Sequence, residues 1–384
     1  MLLFGADRIG EYRDLFAGRV ALLTSPTGRT GSNRSTIEVL KEFCDLQLLL
    51  APEHGVRGDK AAGEIFADEP DPESGLPVCS LYSEGSKRLS AAVLARFDTL
   101  VYDIADVGCR YYTFISTLRY CMEDCAAAGK RLVVLDRPNP LGDRVEGGVM
   151  TDECISFVGI HTIPVCYGLT CGEIARMMNG ELGIGCDLQI VPCAGLTRNM
   201  TFRDWGHYWV IPSPNIPRYE TALLYPGTCL LEGTNLSEGR GTADPFAILG
   251  APYIRAEEFC RAFNALGCPG VEATPLYFTP TVSKHQGHLC GGIHIHILNE
   301  EILEPVALGI RLLDLLRRMY PEDFRFLAQS SEGSHPFISL LSGHRELEAP
   351  DWDPDKLLSR YARESREFCL RKAPYEIYPQ EESL

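Results

Sequence analysis

Thr99-Leu-Val-Tyr-Asp-Ile-Ala-Asp-Val-Gly-Cys-Arg110 begins as an apolar run and ends in a polar cluster. A helical pattern from Thr113 to Ala127 follows, Gly129 falls where a helix C-cap is expected, and Arg131-Leu-Val-Val-Leu-Asp136 is a second apolar run closed by Arg137-Pro-Asn-Pro140. Strand, loop, helix, strand in this rhythm predicts a parallel sheet covered by helices on both faces. The same rhythm holds upstream. Arg19-Val-Ala-Leu-Leu-Thr24 leads into the turn Ser25-Pro-Thr-Gly28, and Ser35 is placed to cap a helix carrying Ile37, Leu40 and Phe43. Leu46-Gln-Leu-Leu-Leu-Ala51 then ends in Pro52-Glu-His-Gly55. Each polar cluster follows the C-terminal end of a strand, where an open parallel sheet binds its ligands.

The pattern changes after about residue 155. A helix is expected over Gly172 to Asn179, a strand over Leu188 to Pro192, an extended stretch at Ile211-Pro-Ser-Pro-Asn-Ile-Pro217, an alternating strand at Gly292 to Leu298 and a long helix over Ile302 to Met319. The 384 residues exceed one ordinary core. The expected organisation is α/β: a Rossmann-like parallel-sheet domain over 1–158, and a smaller mixed α+β, β-rich domain over 159–384 that completes a cleft.

A formal charge of −16 repels polyphosphate and argues against nucleic-acid binding. No apolar run reaches the roughly 20 residues of a membrane span. The N-terminus has no signal-peptide pattern, which predicts a cytoplasmic chain as it stands, or an exported one if a leader was removed. The 15 cysteines are odd in number and scattered, so they read as small buried hydrophobes rather than a disulfide framework, and no cluster has zinc spacing. His294 and His296 share a strand face without a third ligand, and His285 and His288 are equally unsupported. Gly183-Ile-Gly185 is no dinucleotide fingerprint, and Ser25-Pro-Thr-Gly28 lacks the lysine of a phosphate loop. No metal and no cofactor is expected, and nothing in the sequence fixes an oligomeric state.

Four clusters carry titratable groups. Glu53 and His54 stand at a strand end, on a loop that continues through Arg57 and Glu64 and could exchange protons with a ligand. Asp106 and Arg110 follow the Thr99 strand, as a possible capping pair. Asp136, Arg137 and Asn139 sit in a turn stiffened by two prolines, with Glu146 nearby beside Gly147 and Gly148, glycines that would admit a sugar. The densest cluster is Glu232-Gly-Thr-Asn-Leu-Ser-Glu-Gly-Arg-Gly241. Its Glu232, Asn235, Glu238 and Arg240 suit the hydroxyl and carboxylate groups of a small ligand.

The chain also resembles a known family. Pro52-Glu-His-Gly-Val-Arg-Gly58 with Ala62-Gly-Glu64, Asp103-Ile-Ala-Asp-Val-Gly108, Leu135-Asp-Arg-Pro-Asn-Pro-Leu141 with Val145-Glu-Gly147, Pro212-Ser-Pro-Asn215, Tyr225-Pro-Gly-Thr228 and Glu232 to Thr242 occur in the order seen in exo-β-N-acetylmuramidases of the NamZ type, formerly a domain of unknown function, DUF1343. Ser25, Ala105 and Gly148 depart from the pattern, where asparagine, a larger polar residue and proline are usual. The resemblance implies an interdomain cleft that releases N-acetylmuramic acid from the non-reducing end of peptidoglycan fragments, with neither metal nor nucleotide. By motif, the acid/base pair falls on Glu53 and Glu146, with His54 aiding Glu53 as general acid and Glu146 as base or nucleophile. Arg137 or Arg240 would meet the lactyl carboxylate. The rivals are a non-catalytic muropeptide binder, which would bind product without turnover, and a nucleotide-dependent α/β enzyme, which the missing phosphate loops disfavour.

Overall fold

Short apolar runs bury both faces only inside a helix-covered sheet, and this is where the chain places them. In the computed structural model, which describes residues 2–60, 69–81, 86–328 and 335–380, β1 (Arg19–Thr24), β2 (Asp45–Ala51), β3 (Val78–Ser80), β4 (Thr99–Asp103) and β5 (Arg131–Leu135) are followed by a small ribbon of β6 (Val145–Glu146) and β7 (Cys166–Tyr167), and then by β8 (Asp187–Val191). The main sheet has the order β3-β2-β1-β4-β5-β8 with every neighbouring pair parallel. Chain direction across the sheet reverses between β1 and β4. That is the switch point at which such a sheet opens a crevice.

Helices α1 (Thr36–Phe43), α2 (Ala91–Leu94), α3 (Phe114–Ala127) and α4 (Cys171–Glu181) connect these strands. Ser35 caps α1, its hydroxyl accepting from the Ile37 N–H, and Thr170 with Glu173 forms a capping box on α4. The sheet therefore does not stop at residue 158, because α4 and β8 complete it. The alternation of Asp187-Leu-Gln-Ile-Val191 marks β8 as a half-buried edge strand rather than part of a second domain.

The remaining chain forms α5 (Tyr219–Thr228), β9 (Ile248–Ala251), α6 (Ala256–Asn264), β10 (Val271–Phe278), β11 (Cys290–Ile297), α7 (Pro305–Met319), α8 (Phe337–Ser342) and α9 (Pro354–Lys372). Its three strands pair antiparallel in the order β10-β11-β9. Gly227 of α5 and Gly309 of α7 let the two helices touch: a Cβ on Gly227 would lie 1.8 Å from the Pro305 carbonyl oxygen. This contact fixes α5, and through it the turn that carries Glu232.

The cysteines behave as small hydrophobes. All are free, and all but Cys44, Cys268 and Cys369 are buried. Among the described residues no group of three or more His, Cys, Asp or Glu is arranged to hold a metal, and no helix is long and apolar enough to cross a membrane. His294 bonds Asp244 through Nε2 at 2.9 Å and His296 bonds Thr274 at 2.9 Å, which suits a partly exposed strand face.

Candidate active site

The loops after β2 and β4 converge with the second region on a cavity of about 170 Å³. Glu53 and His54 enter from the β2 loop, Tyr111 to Phe114 from the start of α3, Ser213, Asn215 and Ile216 from the proline-rich stretch, Tyr225 from α5, and Glu232, Arg240 and Phe246 from the polar loop before β9. Among the described residues five non-glycine residues have positive φ, and two of them, His54 (72°) and Phe246 (65°), line this cavity. Backbone strain of that kind is held only where the surroundings over-determine it.

Glu53 Oε2 accepts from the Thr113 hydroxyl at 2.6 Å. His54 Nδ1 lies 3.1 Å from the Lys60 carbonyl oxygen, so that nitrogen is the donor. Across the cavity, Glu232 Oε1 accepts from Arg240 Nη2 at 2.6 Å and from Nε at 3.2 Å. Arg240 also approaches Glu238 Oε1 at 3.3 Å and lies over the Phe246 ring at 5.3 Å. Burial raises the Glu232 carboxyl above its ordinary range, and the Glu238 charge adds to this against the opposing pull of Arg240. Glu238 itself stands behind the wall, held by Lys284 Nζ at 2.9 Å. Lys284 also donates to the Leu231 and Leu236 carbonyl oxygens at 2.8 Å each, which fixes the loop from beneath.

Several residues singled out in the sequence do not line this cavity and make bonds within the fold. Arg137 is buried and forked onto Asp103 at 2.6 and 3.0 Å, with a further bond to the Arg29 carbonyl oxygen, so it has no reach toward a ligand carboxylate. Asp136 accepts from the N–H groups of Arg137 and Gly172 and the hydroxyls of Thr170 and Tyr378; burial pushes it up to about 6. Asn139 braces its own turn, bonding the Leu169 oxygen and the Leu141 N–H. Asp106 accepts from the Gly108 N–H at 2.6 Å, closing its own turn, and Arg110 is fully buried on the carbonyl oxygens of Gly148, Ile163 and Leu341. Arg57 is paired with Asp71 at 2.8 Å, and Asn235 ties its loop to Asp323 and Arg325. Glu64 lies outside the described residues.

Glu146 does not share the cavity of Glu53. It lines a separate one with Glu304, Ala307, Arg311 and Tyr361. Its Oε1 accepts from the Ala307 N–H at 2.9 Å, capping the first turn of α7, while Oε2 is buried with no hydrogen-bond partner among the described residues. Burial pushes this carboxyl up to about 7. The adjoining glycines serve packing rather than a sugar: a Cβ on Gly147 would meet Val165 at 2.8 Å, and one on Gly148 would meet Tyr361 at 2.3 Å.

A group whose folded value is raised holds extra protons in the native state, so the Glu146 contribution to stability falls as pH climbs from about 4.5 to about 7. In Glu146→Gln, which keeps the cap and cannot ionise, this slope in melting temperature against pH disappears and turnover per folded molecule stays near wild type. Glu146→Ala loses about 1 kcal/mol with the cap. Lost turnover with an unchanged melting profile in Glu146→Gln would instead place this residue in the chemistry.

Tyr112, Thr113, Ser213, Asn215, Tyr225 and Phe246 were not singled out as site residues in the sequence. Aromatic residues near a strand end read as core, and a proline-rich stretch reads as a connector. The only signal lay in the motifs Pro212-Ser-Pro-Asn215 and Tyr225-Pro-Gly-Thr228.

Fold and site together define a Rossmann-like α/β protein with a smaller α+β region, whose cavity at the strand ends holds two carboxyls and a guanidinium. The family descriptions "Exo-beta-N-acetylmuramidase NamZ, N-terminal" and "C-terminal" match residues 20–220 and 223–378. The chain belongs to this NamZ family. It is 39% identical over 372 residues to the peptidoglycan β-N-acetylmuramidase NamZ of Bacillus subtilis (strain 168), covering 96% of this chain and 89% of that protein. Crystal structures of two DUF1343 family proteins from Bacteroides fragilis NCTC 9343 superpose on it. One has a TM-score of 0.86 at 33% identity over 98% of this chain and 99% of the other; the second has 0.78 at 30% identity over 99% and 100%.

Proposed function

We propose that this chain is a glycosidase, an exo-β-N-acetylmuramidase that releases N-acetylmuramic acid from the non-reducing end of peptidoglycan fragments. The observation that carries the reading is the meeting of Glu53 and Glu232, from opposite walls, in one small cavity beside Arg240. Glycoside cleavage takes one protonated carboxyl to assist the leaving oxygen and one ionised group acting at the anomeric carbon, directly or through water. Glu232, raised by burial, is suited to hold the proton, and Glu53, oriented by Thr113, to act as base or nucleophile. His54 faces the same space and orders the Glu53 loop. Arg240 bonds Glu232 through Nε and Nη2, which leaves Nη1 for the lactyl carboxylate. The cavity falls below the ~300–1,000 Å³ typical of sites that take up a drug-sized ligand, which favours a single terminal sugar over an internal stretch of glycan.

Incubation with glycan fragments bearing N-acetylmuramic acid at the non-reducing end tests this by mass spectrometry of the products. Free N-acetylmuramic acid is expected as the first product. Internal cleavage, or tight product binding without turnover in folded protein, would refute the exo-hydrolase.

A further inference from the structure

Among the described residues, the Tyr112 phenol is a buried polar group on the cavity wall that the roles above leave unused. The residue is only 7% exposed, and its hydroxyl has no hydrogen-bond partner among the described residues. Its ring is gripped edge-on by Phe114 at 4.9 Å and Tyr225 at 6.1 Å, so the hydroxyl cannot swing away to find a partner. The Ser213 side chain lies beside the phenol on the same wall, yet the two hydroxyls do not meet in hydrogen-bonding geometry. Tyr112 also lies close enough to Glu53 and Arg240 to feel both charges, which places it between the two walls. A desolvated donor left unpaired is costly, and proteins rarely keep one without a use.

Burial raises the phenol well above its ordinary value, so it stays neutral and acts as a donor rather than a nucleophile. Such a donor needs an acceptor on the ligand. Sugar hydroxyls can donate to the two carboxyls, and the lactyl carboxylate is matched by the Arg240 guanidinium. The Thr113 hydroxyl is already given to Glu53. The acetamido carbonyl is a neutral group that can only accept, and a neutral phenol donor suits it.

We propose that Tyr112 is a specificity residue whose hydroxyl donates to the 2-acetamido carbonyl oxygen of the bound sugar. The proposal rests on the glycosidase reading above and adds the group that recognises the substrate's amide.

The test is Tyr112→Phe, measured on a chromogenic N-acetylmuramide and on its analogue with a 2-hydroxyl in place of the acetamido group. Losing an unpaired buried hydroxyl leaves the melting temperature equal or higher. kcat/KM on the acetamido substrate falls roughly 10- to 100-fold, while the analogue changes little, so the variant loses the wild-type preference. A residue with a merely structural role would lower stability and would slow both substrates alike. Equal losses on both substrates, no loss on either, or a clear drop in melting temperature would each overturn the assignment. Should wild type turn over neither substrate, the glycosidase reading fails first, and isothermal titration of N-acetylmuramic acid and its 2-hydroxyl analogue decides the matter. Equal affinity of the two ligands for wild type overturns the Tyr112 contact; an acetamido preference that Tyr112→Phe abolishes upholds it.

Discussion

Glu53→Gln and Glu232→Gln are each expected to lower turnover of a chromogenic N-acetylmuramide by roughly 10²–10⁴-fold with the fold intact. The two differ in how the leaving group enters. A substrate whose aglycone departs without protonation, such as a dinitrophenyl glycoside, bypasses the general acid. It should recover much of the rate in Glu232→Gln and none in Glu53→Gln. The pH profile separates them again. Loss of a carboxyl that must be protonated removes the basic limb, and loss of one that must be ionised removes the acidic limb. Because burial raises Glu232, the wild-type basic limb lies above the range of an ordinary glutamate. Near-normal rates in either folded variant would remove that residue from the mechanism, and recovery of Glu53→Gln instead of Glu232→Gln would exchange their roles.

The architecture was legible because a parallel sheet writes itself as apolar runs closed by polar turns, and β1, β2, β4 and β5 each take that form. Strand-end position also pointed to Glu53 and His54, and polar density to the loop of Glu232 and Arg240, all of which line one cavity. What the sequence could not carry was the direction in which each side chain leaves its turn. Arg137 follows a strand end just as Glu53 does, yet it turns onto Asp103 at the end of the neighbouring central strand. Arg110 runs into the interior to bind three carbonyl oxygens, a use of arginine that leaves no trace in spacing. Glu146 illustrates the same limit. Its glycine neighbours suggested room for a sugar, but they are small because Val165 and Tyr361 press on them, and the carboxyl spends itself on the first turn of a helix 161 residues further on. The strand over residues 188–192 was read with the second region because β8 joins the sheet only after an intervening ribbon and helix.

Replacement of Arg240 by methionine should affect stability and recognition together. The guanidinium lies between Glu232 and Glu238, and its removal leaves one half-buried and one buried carboxyl facing Lys284 alone. Breaking a buried ion pair from one side costs about 3–5 kcal/mol; Glu238 is buried but Arg240 and Glu232 are partly exposed, so a loss toward the lower end is expected, and chemical denaturation will read it directly. The loss is expected to be largest at high pH. Without Arg240 the pull that opposes burial at Glu232 is gone, so Glu232 binds protons more readily in the folded state than in the unfolded one, and stability falls as pH rises through the carboxylate range. Recognition fails for a different reason. The lactyl carboxylate loses its charge partner, and a hydrogen bond to a charged group is worth about 1.5–3 kcal/mol. Affinity for N-acetylmuramic acid should therefore drop more steeply than affinity for N-acetylglucosamine, which lacks that carboxylate. Arg240→Lys separates the two effects: it keeps a positive charge for Glu232 and Glu238 but offers no planar fork, so stability returns toward wild type while the muramic-acid preference stays weakened. Equal weakening for both sugars in Arg240→Met would mean that Arg240 only holds Glu232 in place, and the acidic group of the ligand would have to be met elsewhere.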